Sequence, residues 1–180
     1  MKRNILVNIS LLLFVWLICA TDLLAQSKRM KSIDDLFTAY EQVKGVGYIS
    51  ISPKLLMLTK SKDDKELNEV INSIASLRIL NMDITPQLEP LANRIRKDVQ
   101  ELVRLQNFEE IVRMREDDSD FVIYLSQNKN KESKQLEALL LVANDKTELV
   151  LIGISGKITQ AVIDAVMGGK IGIEPKKSKN

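Results

Sequence analysis

The chain has 180 residues, 45% of them hydrophobic, with a formal net charge of +2, one cysteine and no histidine. A near-neutral balance argues against nucleic acid as a partner, because nucleic acid rewards a clustered basic surface. The missing histidine removes the commonest general base, the Ser-His and Cys-His nucleophile systems and the commonest zinc ligand.

Lys2 and Arg3 precede an apolar run from Ile5 to Ala20, interrupted by Asn8 and Ser10, and a short polar stretch leads to Leu23-Leu24-Ala25. This is the three-part layout of a secretory signal peptide over residues 1–25, cleaved before Gln26. About 16 apolar residues fall short of the roughly 20 that a membrane-spanning helix needs. Cys19 closes the run, and a lipid on it would tether the protein to a membrane, but Ile18 stands where lipoprotein processing asks for a small side chain. The expected location is therefore exported, periplasmic or envelope-associated, with membrane contact only if Cys19 is lipidated. Once Cys19 is removed the chain has no thiol, so neither a disulfide nor a thiolate metal site supports the fold. Loss of Lys2, Arg3 and Asp22 takes the charge from +2 to about +1. Residues 26–174 have the size of one domain, and residues 175–180, with Lys176-Lys177-Ser178-Lys179, read as a basic disordered tail.

Ser32 and Asp35 resemble a capping box ahead of Ile33, Leu36, Phe37, Tyr40 and Val43, which predicts a helix over 33–43 ended by Lys44-Gly45. Val46 to Ile51 alternates as a strand. Pro53 with Leu55, Leu56 and Leu58 gives a short helical turn, and Leu67, Val70, Ile71 and Ile74 predict a helix over 66–76. Leu77 to Met82 reads as a second strand. The helical connection is long enough for a crossover, so the two strands are expected to pair in parallel, as one right-handed βαβ-like unit. From Leu88 to Gln106 apolar residues recur every three to four positions, the mark of a long amphipathic helix with Pro90 in its first turn. The period then changes to two, and residues 109–115, 120–126, 135–143 and 148–154 read as four strands joined by antiparallel hairpins. A last helix is predicted over 159–167, stopped by Gly168-Gly169. The expected fold is α+β, one mixed, mostly antiparallel sheet of about six strands with helices packed on one face.

Several pairs and clusters imitate chemistry. Ser52 with Lys54, and Ser126 with Lys129, have the residue types of Ser-Lys catalysis, but Ser126 falls at a strand end and no Lys-Thr-Gly follows. Gly153, Ser155, Gly156, Lys157 and Thr159 lie between a strand and a helix, as in a phosphate-binding loop. Their spacing is too short for one, and Ile158 stands where magnesium binding needs Ser or Thr, so a plain strand-to-helix turn with Gly at the bend is the better reading. Glu116, Asp117, Asp118 and Asp120 cluster as a hard cation would like, yet lack the spaced loop and Gly of a calcium motif and read as a solvated hairpin turn. Glu109 and Glu110 are neighbours on a strand and point to opposite faces, so they are not acid/base partners there. The aromatics beyond the leader, Phe37, Tyr40, Tyr48, Phe108, Phe121 and Tyr124, fit core packing. A stacking platform for carbohydrate or single-stranded nucleic acid asks for several exposed together. The sequence thus assigns no catalytic, cofactor-binding or metal-binding residue.

Phe37-x-x-Tyr40, Gly45-Val46, the run Ile49-Ser50-Ile51-Ser52-Pro53-Lys54-Leu55-Leu56, Leu77-Arg78-Ile79-Leu80 and the segment from Glu148 to Gly156 together resemble a family of small exported proteins of Bacteroidota that carries a domain-of-unknown-function label. The resemblance implies an envelope location, and its frequent encoding near extracytoplasmic sigma factors implies a role in envelope signalling. It transfers no catalytic residue. The expectation is a non-catalytic module that binds an envelope protein. The alternatives are a tethered lipoprotein with a structural role, or a histidine-free enzyme gathering Ser52, Lys54 or Asp117 in a pocket.

Overall fold

The computed structural model describes residues 30–58, 60, 64–127 and 136–168. Residues 1–25, expected as a signal peptide and containing Cys19, lie outside them, as do Lys129 and residues 175–180, expected as a basic tail. The elements in chain order are α1 (Ile33–Tyr40), β1 (Gly47–Ile51), α2 (Pro53–Leu58), α3 (Lys65–Ser73), β2 (Ile74–Asp83), α4 (Glu89–Leu105), β3 (Phe108–Glu116), β4 (Ser119–Gln127), β5 (Leu136–Asn144), β6 (Glu148–Ile158) and α5 (Gln160–Met167). The strands form one six-stranded sheet in the order β1-β2-β6-β5-β4-β3. The α+β class and the single six-stranded sheet are as expected.

Two features differ from expectation. All neighbouring strands, β1 and β2 included, pair antiparallel. The reason is local: β2 begins at Ile74, directly at the C-cap of α3, and the chain enters the sheet at the end where β1 leaves it, with Ile51 opposite Leu77. At ~1.5 Å per residue α2 and α3 are ~9 and ~14 Å long, neither long enough to carry the chain back along a ten-residue strand. The helices also divide between both faces. Leu80, Leu140, Leu149 and Leu151 pack on the first face with Ile33, Leu36 and Phe37 of α1 and Ile95, Val99 and Leu102 of α4. Leu77, Leu139, Leu141, Ile152 and Ile154 pack on the second with Val70 of α3 and Val162, Ala165 and Val166 of α5. Consecutive residues such as Leu139, Leu140 and Leu141 are all buried, which a strand achieves only when both of its faces are covered. Each such side chain contributes roughly 1.5–3 kcal/mol of hydrophobic stabilisation.

Capping sets where the helices start. Ser32 Oγ accepts from the Asp35 N–H at 3.1 Å, while the Asp35 carboxylate accepts from the Lys31 N–H at 2.9 Å, one residue earlier than in a standard capping box. Asp64 caps α3 through the Leu67 N–H at 2.9 Å, and Thr159 caps α5. β6 runs through Gly153 and Gly156 to Ile158, so these glycines lie inside a strand and the bend comes at Thr159. A Cβ on Gly153 would stand 2.5 Å from the Phe37 ring, and one on Gly156, at φ +139°, 2.2 Å from the Ser73 carbonyl oxygen. Helix α1 rests on the first glycine, and the α3–β2 junction crosses the second at a bulge.

Candidate functional site

On the first face one row of paired residues crosses four strands: Ser76, Ser155, Ala138 and Ser126, followed by Phe108 on β3. These small side chains leave a cleft of about 310 Å³ beneath the start of α1, lined among others by Lys31, Asp34, Ser126, Glu137 and Ser155. Arg78, one row away, fixes the wall: its Nη1 lies 3.0 Å from Asp34 Oδ1 and donates to the Asp34 carbonyl at 3.2 Å. The Ser155 and Ser76 hydroxyls are hydrogen-bonded to each other, 2.6 Å apart. A second hydroxyl is no general base, so this pairing does not activate either serine as a nucleophile.

The residues singled out in the sequence are not brought together. Ser52 caps α2, its Oγ accepting from the Leu55 N–H at 3.3 Å, and Lys54 sits exposed in that helix's first turn. Asp117 lies in the β3–β4 turn, at φ 45°, at the opposite edge of the sheet from β1. Ser126 lines the cleft from β4, whereas its sequence partner Lys129 is outside the described residues. The segment from Gly153 to Lys157, expected as a strand-to-helix turn, lies within strand β6.

Two members of the acidic run take basic partners. Asp118 meets Lys146 at 2.5 Å, and Asp120 meets Arg113 at 2.6 Å and Arg115 at 3.5 Å. Among the described residues no group of three or more carboxylates converges as a metal site. Glu110 forms two hydrogen bonds with Arg113, Nε to Oε1 at 2.8 Å and Nη2 to Oε2 at 2.5 Å. Those hydrogen bonds hold the Glu110 carboxyl below its ordinary range and push the Arg113 guanidinium up. A carboxylate kept ionised in this way is poorly suited to donate a proton near neutrality.

The second notable surface is apolar. Ile49 of β1 and Leu55, Met57 and Leu58 of α2 are 50%, 52%, 53% and 81% exposed. Ile49 alternates with Tyr48 and shares the second face with Ile51, and Leu56 packs α2 against that same face, so all four stand at one corner of the sheet. The signal for it was present: four consecutive apolar residues, Leu55 to Leu58, surround a helical turn, and a turn resting on a sheet buries only one side of itself.

Fold and surface together define an α+β domain built on a single open antiparallel sheet, in which Ser52 caps a helix and Asp118 and Asp120 are held in ion pairs. Residues 40–166 match the family model described as domain of unknown function DUF4252, and the chain belongs to that family. No curated protein and no solved structure matches the chain.

Proposed function

We propose that this chain is an exported, non-catalytic envelope protein that works as a protein-interaction module, engaging its partner through the corner formed by β1 and α2. The observation that carries this reading is the group of large apolar side chains exposed there, Ile49, Leu55, Met57 and Leu58. Single exposed apolar residues are ordinary, but several gathered on one corner of a soluble fold mark a contact surface. Export is supported by the layout of residues 1–25, and the family resemblance to exported Bacteroidota proteins encoded near extracytoplasmic sigma factors supports a place in envelope signalling. The separation of Asp117, at the β3 edge of the sheet, from Ser52 and Lys54, beside β1 at the other edge, favours binding over chemistry.

The test is cross-linking in envelope fractions of the native host, comparing the wild-type chain with Leu55→Ser/Leu58→Ser. The reading predicts a cross-linked species that the double variant loses. An unchanged cross-linking pattern, or a protein found in the cytoplasm, would overturn it. Mass and N-terminal sequence of the recovered protein decide its attachment: a start at Gln26 gives a soluble module, a lipidated Cys19 a tethered one.

A further inference from the structure

The two edges of the sheet are built differently. β3, at one end, carries Glu109, Glu110, Arg113, Arg115 and Glu116 and is bulged at Ile111, where the register with β4 shifts. Charges and bulges are the devices by which an edge strand refuses further strands. β1, at the other end, is Gly-Tyr-Ile-Ser-Ile, with no charge, no proline and an unbroken register against β2. An edge of that kind offers its outer N–H and C=O groups to an incoming strand, and the chemistry of the site fixes the occupant as an extended backbone.

We propose that β1 pairs antiparallel with β1 of a second copy of this chain, about a two-fold axis through Ile49. This rests on reading the β1–α2 corner as the contact surface, and it names the occupant. The order of residues in β1 carries the argument. In that register Ile49 faces Ile49, Tyr48 faces Ser50 and Ile51 faces Gly47 of the second copy, so each bulky side chain away from the axis meets a small one. No like charges oppose each other, because the strand has none. The pairing joins two six-stranded sheets into one and turns the second faces, with their α2 helices, to the same side. A two-fold, self-complementary patch of this type is how most homodimers close.

The experiment uses the protein expressed from its full sequence and purified as the cell processes it. Sedimentation equilibrium is expected to give twice the chain mass, and Ile49→Lys, which sets two ammonium groups across the axis, to weaken association at least roughly tenfold with an unchanged circular dichroism spectrum. In a Cys19→Ser background, Ile49→Cys is expected to yield a covalent dimer on oxidation or with a short bis-maleimide, whereas Met114→Cys on β3 is not. A monomeric mass throughout the accessible concentration range overturns the proposal, as does a dimer indifferent to Ile49→Lys. If Ile49→Cys instead captures a different envelope protein, self-pairing fails while the contact-surface reading stands. If neither copy nor other protein is captured and Leu55→Ser/Leu58→Ser changes nothing, that reading fails as well.

Discussion

The hydroxyl of Tyr40, at the last turn of α1, donates a hydrogen bond to Oδ2 of Asp98, in the middle of α4. It is the polar clasp between the two helices that cover the first face. Tyr40 is 3% exposed, and burial, then the hydrogen bond to Asp98, pushes its pKa well above the ordinary phenol value. Tyr40→Phe keeps the ring and removes the clasp, so it is expected to cost about 1–2 kcal/mol, a fall of roughly 2–8 °C in Tm. The sign of the pH effect follows from the raised pKa. The neutral phenol is favoured by folding, so its contribution is whole below about pH 10 and is lost as pH rises toward the folded value. Thermal melts of the two proteins from pH 8 to 11 should converge at the alkaline end.

Gly153→Ala tests the seat of α1. The added methyl would lie 2.5 Å from Phe37 Cε2 and 2.6 Å from Ile33 Cγ2, closer than packed atoms tolerate, and both side chains are buried. Both side chains must shift to admit the methyl, and α1, which carries them, is displaced with them. Overpacking of this kind costs about 1–3 kcal/mol. Urea unfolding monitored by circular dichroism measures it, and a second substitution, Phe37→Leu, is expected to restore part of the loss. Full stability in Gly153→Ala alone would mean that α1 does not rest where the structure places it.

Much of this fold is legible in short-range pattern, and what is not depends on long-range choices. The long helix is predicted over 88–106 and found at 89–105, because each turn repeats the same apolar stripe. The four strands of the second half follow from their two-residue period and polar turns. The sense of β1 against β2 is different: Ile74 continues the apolar spacing of Leu67, Val70 and Ile71 equally well as it starts a strand, and the point of transition decides the direction. The two-sided burial was signalled by the unbroken apolar run Leu139 to Val142, which a one-sided sheet has no use for. Gly153 and Gly156 look like a turn in sequence because the elements that demand them, α1 and the start of β2, are distant along the chain. Of the candidate site, the caps at Ser32 and Thr159 are local and readable. The Ser76–Ser155 pair, 79 residues apart, is not.

The β5–β6 turn carries an acid-side prediction. Asp145 Oδ1 accepts hydrogen bonds from the Thr147 N–H at 2.5 Å, the Thr147 hydroxyl at 2.9 Å and the Glu148 N–H at 2.7 Å. Partial burial alone would raise the Asp145 pKa, but these hydrogen bonds outweigh it and hold the carboxyl below its ordinary value. The turn is also anchored to α4, since Arg96 Nε donates to Asn144 Oδ1 at 2.8 Å. A lowered pKa stabilises the fold fully above the unfolded value, near pH 4, and the contribution is lost as pH falls through the folded one. Because the group is only partly buried in a surface turn, Asp145→Ala is expected to cost about 1 kcal/mol at pH 7 and progressively less below pH 4. Melts at pH 7, 5 and 3 check both the size and the convergence.

Leu56 and Leu58 are two residues apart on the same short helix and are expected to respond in opposite ways. Leu56 packs against the second-face core, whereas Leu58 is 81% exposed. Leu56→Ser strips apolar contact from beneath α2 and places a hydroxyl against the sheet, so a loss of about 1–2 kcal/mol is expected. Leu58→Ser removes a side chain that water already surrounds, so stability should stay within about 0.5 kcal/mol of wild type. Contact function predicts the reverse order: Leu58→Ser should diminish cross-linking in envelope fractions and binding of an apolar fluorescent dye while leaving the melt untouched. A Leu58→Ser protein that melts early would place that side chain in the fold's own packing and take the corner out of use as a docking surface. One that melts normally and still cross-links normally would count against the corner formed by β1 and α2 as the contact surface.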